Sequence, residues 1–271
     1  MVSRWRLLAC CALALGLRGE ADAGVWPQPV LGAAAAADDV EVLFTFDDVP
    51  KAATTPAILD ILARRRIRAV FFLVGTQVVD KHAEAPAILD RIVREGHILA
   101  NHTMWHTNLC KDDEEEAVLD VDLGREVIEH AAAMRVSWFR APFGVRCDQL
   151  ESLLAERNLF HFHWDIDPQE WRHGSVERAV KDVTGQLGHA HGRNVLLMHD
   201  SKQVTVAALP KILQWIDDEN QKRAKAHRPQ IKILQAPDLA VEKLPPAIVG
   251  WLREAVDGAR TLPGAIAGIL P

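Results

Sequence analysis

Apolar residues in this chain come in short runs, separated by longer stretches in which apolar and polar positions follow a helical spacing. Seven of the runs predict strands, because they are four to six residues long and rich in aliphatic and aromatic residues. They lie at residues 41–46, 69–74, 97–101, 136–140, 159–164, 194–199 and 231–234. The stretches between them predict helices near residues 55–65, 83–95, 113–134, 148–158, 175–187 and 206–219.

This strict alternation of strand and helix predicts a parallel sheet covered by helices. Seven strands fit an incomplete barrel better than an open sheet, so the predicted fold class is α/β: a distorted, incomplete (β/α)7 TIM-like barrel. Local signals support the helices. Thr55 followed by Pro56 predicts a capped helix start, and the acidic run at residues 112–116 is typical of a solvated helix N-terminus.

The first 23 residues have the composition of an export signal. Basic residues precede an apolar run over residues 7–17, and a small-x-small sequence predicts cleavage near Ala23. The run is too short to cross a bilayer, so we expect a periplasmic or secreted protein with no integral membrane span in the mature chain. A lipoprotein signal at Cys10 or Cys11 is an alternative, although hardly any apolar run precedes either cysteine.

The rest of the chain divides into three parts. Residues 24–39 form a lead-in, residues 40–239 a single domain, and residues 240–271 a C-terminal extension with an amphipathic stretch at 247–256. We expect the extension to be helical and to pack against the barrel, with membrane or partner contact as the alternative.

Composition excludes two broad classes of protein. The 271 residues are 49% hydrophobic and 25% charged, which is ordinary for a globular protein and not for a disordered one. The net charge of −6 and a pI near 6.1 give no basic surface of the kind that nucleic acid requires.

The candidate chemistry emerges when polar residues are placed at the strand ends. Carboxyl ends of the strands in a barrel form one face, and active sites are built there. The residues that follow or end predicted strands are Asp47, Asp48, His102, Arg140, Asp165, Asp167 and His199. Five separate segments therefore converge.

Four side chains of these convergent segments suit a metal. Asp47, Asp48, His102 and His106 can hold a divalent ion with three of their groups and leave one carboxylate free as a base. Mixed carboxylate and imidazole ligands suit Zn²⁺ and also accept Co²⁺ or another divalent metal. An open coordination position points to metal-assisted hydrolysis.

Five ordered motifs carry a family resemblance. They are TFDD at residues 45–48, HTMWH at 102–106, RAPFG at 140–144, DPQEW at 167–171 and LMH at 197–199. In order, spacing and residue type the chain resembles the polysaccharide deacetylases, carbohydrate esterase family four, over about residues 40–239. The resemblance implies a distorted barrel that removes acetyl groups from an N-acetylated glycan.

The resemblance also implies a role for individual residues. Asp48, His102 and His106 match the metal ligands of the family, and Asp47 matches its general base. Arg140 resembles the motif arginine that pairs with this base, and an adjacent cation would keep the carboxylate ionised.

The remaining motif residues match groups around the reaction. His199 resembles the general acid, and the backbone N–H of Phe143, after Pro142, would be an oxyanion donor. Asp167 and Glu170 are supporting residues.

Two tryptophans, Trp105 and Trp171, lie in the motifs at places where they can stack on a sugar ring, although a tryptophan near a strand end is often a core residue.

Three departures from the family pattern matter. Val49 stands where the family usually has Gly, and a β-branched residue resists positive φ, so we expect the backbone to turn differently at Val49. Glu170 replaces the usual Asp and is one methylene longer, which puts the tuning of the histidine acid in doubt. Phe143 replaces a commoner Tyr.

Two further pairs deserve a prediction. Cys110 and Cys147 follow motifs on loops that should share one rim, and in an oxidising compartment we expect them to form a disulfide, with two separate buried cysteines as the alternative. His161 and His163 alternate along one face of a predicted strand. Packed or solvated histidines are a more common arrangement there than a second metal site.

Three other functions remain as alternatives. A glycoside hydrolase could use Asp165, Asp167 and Glu170, although that leaves Asp48 and the two histidines without a task. A metal hydrolase of small non-sugar amides and a catalytically silent glycan-binding protein are the others. The motifs leave open the choice between chitin oligomers, peptidoglycan and poly-N-acetylglucosamine, as well as the oligomeric state.

Overall fold

A computed structural model of the chain describes residues 40–79 and 84–241. Its seven strands fall where the apolar runs lie. They are β1 (Val40–Val49), β2 (Val70–Leu73), β3 (Ile98–Asn101), β4 (Trp138–Phe139), β5 (Phe160–His161), β6 (Gly192–His199) and β7 (Ile231–Ile233). The predicted signal segment, the lead-in and all but the first two residues of the predicted extension lie outside the described residues.

The helices alternate with the strands, with short additional helices at three places. They are α1 (Thr55–Arg65), α2 (Gly75–Val79), α3 (Ala85–Arg94), α4 (Glu114–Ala132), α5 (Asp148–Glu156), α6 (Glu170–His173), α7 (Val176–His189), α8 (Gln203–Lys225) and α9 (Ala236–Val241). None of the helices in the described ranges combines the length and apolar character needed to cross a bilayer.

Several predicted boundaries were wrong. Strands β4 and β5 have only two residues each, because the chain turns into the site loops after two paired positions. Helix α8 begins before residue 206 and continues through Pro210, where its buried face, including Leu209, Ile212 and Leu213, packs into the core. Burial of that face outweighs the hydrogen bond that proline removes.

All strand pairs are parallel, in the order β5-β4-β3-β2-β1-β6, with β7 beside the first half of β1. The sheet curls until the segment after β5 reaches β6, where Ile166 bridges Leu196 and the N–H of Asp165 donates to Val195. The structure confirms the predicted fold class, a distorted (β/α)7 barrel. All strand ends that carry polar motif residues therefore share one rim.

Strand β1 shows how the alternation of a strand positions the site. Phe44 and Phe46 belong to the cluster between sheet and helices, whereas Leu43 belongs to the cluster inside the barrel. Successive side chains of a strand point to opposite faces, so Thr45 and Asp47 continue the inward row above Leu43. Both faces are buried, which explains why the sequence of this strand reads as a nearly continuous apolar run.

The backbone at Val49 is that of an ordinary strand residue. Val49 is buried, ends β1 in register with Leu73 and does not have a positive φ. The unusual backbone falls one residue earlier, at Asp48, which has φ of 65° beside a register shift between Phe46 and Val49. Aspartate tolerates this left-handed region better than a β-branched residue does. Because the positive φ falls on Asp48, Val49 can remain part of the strand.

Candidate active site

The innermost polar contact of the rim joins Asp47 to Arg140. Arg140 is completely buried and Asp47 nearly so, and Arg140 Nη1 donates to Asp47 Oδ1 at 2.7 Å and to Thr45 Oγ1 at 2.9 Å. The guanidinium lies 4.0 Å from the centroid of the Phe72 ring. The two buried charges depend on each other, because removing either one would leave the other uncompensated.

Asp48, His102 and His106 lie together beside this pair. One ligand atom of each lies within 4.8 Å of the others, and His106 Nε2 is 3.5 Å from Asp48 Oδ1. His102 Nδ1 is 2.8 Å from the carbonyl oxygen of Arg140, which can only accept, so Nδ1 carries the hydrogen. The Nε2 lone pair of His102 is therefore free for a metal, and it faces Asp47 Oδ2 at 3.7 Å.

The electrostatics of this triad favour metal binding. Burial opposes ionisation of Asp48, but the neighbouring imidazoles and a hydrogen bond from the Ser201 hydroxyl outweigh it, so its pKa lies below the ordinary value. Burial lowers the pKa of His102 despite the nearby Asp47 charge, which keeps its imidazole neutral. An ionised carboxylate and a neutral imidazole are the forms that bind metals.

Helix α4 supports the loop that carries both histidines. Asp120 is buried, and its Oδ1 accepts the N–H groups of Met104 and Trp105 at 2.7 Å each, while Oδ2 accepts from Thr107 at 2.7 Å. Gly124 lies so close to the loop that a Cβ there would be 2.5 Å from the carbonyl carbon of Thr103. Sequence reasoning missed Asp120, although an aspartate on the apolar face of α4 is a readable signal.

His199 enters the site from the end of β6, directly beside Asp47 in the strand register. Its Nδ1 lies 3.1 Å from Glu170 Oε1, and the same oxygen accepts the His199 N–H at 2.6 Å. Burial lowers the pKa of His199, but the hydrogen bond and charge of Glu170 outweigh it, so the pKa is raised. The longer side chain of Glu170 thus reaches the histidine, and the fully buried carboxylate is engaged there.

A second buried carboxylate, Asp200, follows His199. It accepts a hydrogen bond from Thr55 Oγ1, which also accepts the N–H of Lys51. Thr55 was predicted to cap α1. It is instead the first residue of the helix, and Thr54 is the N-cap. The proline that follows Thr55 fixes the start of α1. Asp200 and Thr55 tie the β1–α1 loop to the end of β6, and sequence reasoning missed both Asp200 and Ser201 in this role.

Three aromatic side chains are exposed around the site. Trp105, Phe143 and Trp171 have relative exposures of 44%, 67% and 48%. The Phe143 ring lies 4.9 Å from that of His106, and the Trp171 ring 6.2 Å from that of His199. Neither tryptophan is a core residue.

The loop that carries Phe143 is a single 3-10 turn, Pro142–Gly144. Phe143 has φ of 60° and Gly144 φ of 66°, and a Cβ on Gly144 would collide with the Trp164 ring. Pro142 is buried and fixes the start of the turn.

Two predictions concern the edges of the site. Cys110 and Cys147 are joined by a disulfide, with Cα atoms 5.9 Å apart, and it ties the loop after His106 to the start of α5. Asp167 is half-buried and accepts the N–H of Gln169 at 2.7 Å, so it supports the turn before α6, and burial raises its pKa. Asp165 accepts the Val195 N–H at the barrel closure.

Comparison with known proteins agrees with this geometry. A sequence model described as polysaccharide deacetylase matches residues 34–159. The chitooligosaccharide deacetylase of Sinorhizobium fredii is 32% identical over 197 residues, covering 65% of this chain and 86% of that protein. The chain belongs to the polysaccharide deacetylase family.

Further relatives in this family differ in their substrates. The peptidoglycan-N-acetylglucosamine deacetylase of Bacillus cereus is 32% identical over 177 residues, covering 64% of this chain and 62% of that protein. The structure of the peptidoglycan deacetylase PdaC from Bacillus subtilis matches with a TM-score of 0.63 at 26% identity, covering 83% of this chain and 98% of that one. The family predicted from the five motifs is confirmed, and with it the class of enzyme, a hydrolase of N-acetyl amide bonds.

Proposed function

We propose that this protein is an exported, metal-dependent deacetylase that hydrolyses the N-acetyl groups of N-acetylglucosamine-type glycans to free amine and acetate. One observation carries the proposal. A carboxylate with two imidazoles, Asp48, His102 and His106, lies beside a second buried carboxylate, Asp47, that is held by a buried arginine.

Asp48, His102 and His106 would hold the metal. One carboxylate and two imidazoles are a donor set that suits Zn²⁺, with Co²⁺ or another divalent ion as the alternative. The tautomer of His102 fits this role, because its Nδ1 hydrogen is already engaged by the Arg140 carbonyl. When bound, such an ion supplies Lewis-acid polarisation of a water and of the acetyl carbonyl.

Asp47 is the proposed general base. Its Oδ1 is occupied by Arg140, and its Oδ2 faces the site near His102, so the second oxygen can take the proton of the attacking water. Arg140 compensates the charge of this carboxylate and fixes its rotamer. The hydroxide so formed adds to the acetyl carbonyl carbon, and the carbonyl oxygen becomes an oxyanion. We assign its stabilisation to the backbone N–H of Phe143, on the turn after Pro142.

His199 is the proposed general acid. Its Nδ1 hydrogen points to Glu170, so the proton on Nε2 is the one to be delivered to the leaving nitrogen. The C–N bond then breaks as the oxyanion re-forms the carbonyl, the amine leaves neutral, and the acetic acid loses its hydroxyl proton to solvent to give acetate. Glu170 raises the pKa of His199, which favours the protonated form that a general acid requires.

The exposed aromatic residues suit a glycan better than a small amide. Trp105, Phe143 and Trp171 stand at an open rim, where faces of sugar rings can stack on them. We therefore assign residues 40–239 as the catalytic domain and residues 1–23 as the export signal that places it near such polymers.

An acetate-release assay on the mature chain tests the proposal. Chitin oligomers, peptidoglycan and poly-N-acetylglucosamine would each be offered with Zn²⁺ and with a chelator. We expect acetate release from at least one glycan, abolished by the chelator, with unchanged chain length. Shortened glycan that persists with the chelator would indicate a glycoside hydrolase, and no acetate from any of the three would refute the function.

A further inference from the structure

A second cluster of metal-ligand side chains lies behind the active-site loops. It consists of Glu151 on α5, His161 at the end of β5 and His163 two residues later. One ligand atom of each lies within 4.8 Å of the others, His161 Nδ1 is 2.9 Å from Glu151 Oε1, and the two imidazole rings are 4.2 Å apart. The sequence paired the two histidines on one strand face, but only the fold adds the glutamate.

We propose that Glu151, His161 and His163 form a second divalent-cation site that takes Zn²⁺. One carboxylate and two imidazoles form the same set of donors as the active-site triad, and imidazole selects Zn²⁺ over Mg²⁺ or Ca²⁺. With three protein ligands, the fourth position would be filled by water.

The state of the three side chains supports the site. His163 Nε2 is a buried nitrogen without a hydrogen-bond partner, which is costly for a polar atom unless something binds it. Burial lowers the pKa of His163 to about 4 and also lowers that of His161, so both imidazoles are neutral at neutral pH. Burial opposes ionisation of Glu151, but bonds from His161 and Arg146 outweigh it and lower its pKa, so it is an anion.

Two groups compete with the ion for these ligands. Arg146 Nε donates to Glu151 Oε1 at 2.9 Å, but its side chain is 54% exposed and can turn into solvent at little cost. The hydrogen on His161 Nδ1, which now faces Glu151, would be displaced when the ion binds. Occupancy should therefore need zinc concentrations above those that fill the triad of Asp48, His102 and His106.

The second cluster is connected to the active-site triad through a single peptide group. The Ala141 N–H donates to His161 Nε2 at 3.4 Å, and the carbonyl of the preceding Arg140 accepts from His102. When an ion binds Nδ1 of His161, the ring hydrogen moves to Nε2. Nε2 can then no longer accept the hydrogen bond from the Ala141 N–H. The turn that carries Phe143 then loses one support. If the proposed deacetylase function holds, filling the second site lowers kcat several-fold.

Zinc stoichiometry tests the proposal independently of activity. Mature protein would be dialysed against buffered Zn²⁺ from nanomolar to millimolar, and bound metal measured by mass spectrometry. We expect two ions for the wild type and one each for His163→Gln, Glu151→Gln and His106→Ala. The control His189→Gln, at an exposed histidine on a helix end, should keep two. Circular dichroism checks that each variant is folded.

The outcomes are distinct. A single ion in the wild type at millimolar zinc would overturn the site, as would a second ion that survives in both His163→Gln and Glu151→Gln. Inhibition by excess zinc that disappears in His163→Gln supports the link through Ala141, whereas a second ion without any change in kcat refutes that link. Absence of deacetylase activity would leave the stoichiometry result intact.

Discussion

Two sides of the candidate active site differ in burial and in how they are held. The buried wall, formed by Asp47, Arg140, His102 and Glu170, is desolvated, and each of these four side chains makes at least one hydrogen bond. The exposed rim is formed by Trp105, Phe143 and Trp171, whose side chains are largely accessible to water. Charges act most strongly where water is excluded, whereas a polymer must reach its binding surface.

The two sides are expected to control different kinetic constants. Groups of the wall act on charge that develops during the reaction, so their loss should lower kcat. The rim contacts the sugar in both ground state and transition state, so its loss should raise KM. Substitutions on the two sides therefore test this division between kcat and KM.

The largest effect is expected for Arg140→Met. The variant leaves the buried Asp47 charge unpaired, which costs about 3–5 kcal/mol of stability and should remove detectable activity. Denaturant unfolding with chelator present measures the free energy. The double variant Arg140→Met with Asp47→Leu should recover much of the loss, because two apolar groups replace the pair.

The matched control for this prediction is Arg65→Met. Arg65 pairs with Asp217 at the surface, so its removal should cost about 1 kcal/mol or less. A loss in Arg140→Met no larger than in Arg65→Met would show that the wall is not held by this ion pair.

A smaller effect is expected for Glu170→Gln, and it concerns pH. Because Glu170 raises the pKa of His199, the histidine stays protonated to higher pH, and the rate falls only as pH rises through that raised value. Loss of the carboxylate lowers the pKa of His199, so the alkaline limb of kcat should move to lower pH. Glu177→Gln, at an exposed glutamate of α7, serves as the control. An unmoved alkaline limb would mean that His199 is not the titrating acid.

The smallest effect is expected for Trp171→Ala on the rim. Loss of the ring should raise KM for a glycan oligomer roughly two- to tenfold, the energy of one aromatic contact, with kcat nearly unchanged. Trp171→Phe, which keeps an aromatic face, should recover most of the affinity. A drop in kcat at constant KM would contradict this and would show that Trp171 acts on the reaction step, as the residues of the buried wall do.

Much of the barrel could be predicted because it depends on local periodicity. The alternation of β1 places Asp47 inward, and the order of strands brings His199 beside it, as the motifs implied. The short strands β4 and β5 were overestimated, because apolar residues near a site loop are buried without pairing in the sheet.

Contacts between distant elements could not be predicted from the sequence. Asp120, Ser201 and Glu151 act through neighbours that only the fold brings close. The positive φ of Asp48 depends on where the register of β1 and β2 shifts, and a pattern of residue types does not encode that shift.

The most direct test of the central claim, that Asp48 binds the metal while Asp47 serves as the base, is acetate release by Asp47→Asn at full zinc occupancy. Asp48→Ala, which removes a ligand instead, is the matched variant and should lose the ion. We predict that Asp47→Asn keeps one zinc in the triad site while its kcat falls about 100- to 10,000-fold. Near-normal acetate release by zinc-loaded Asp47→Asn, or loss of that zinc, would contradict the division of roles between the two aspartates.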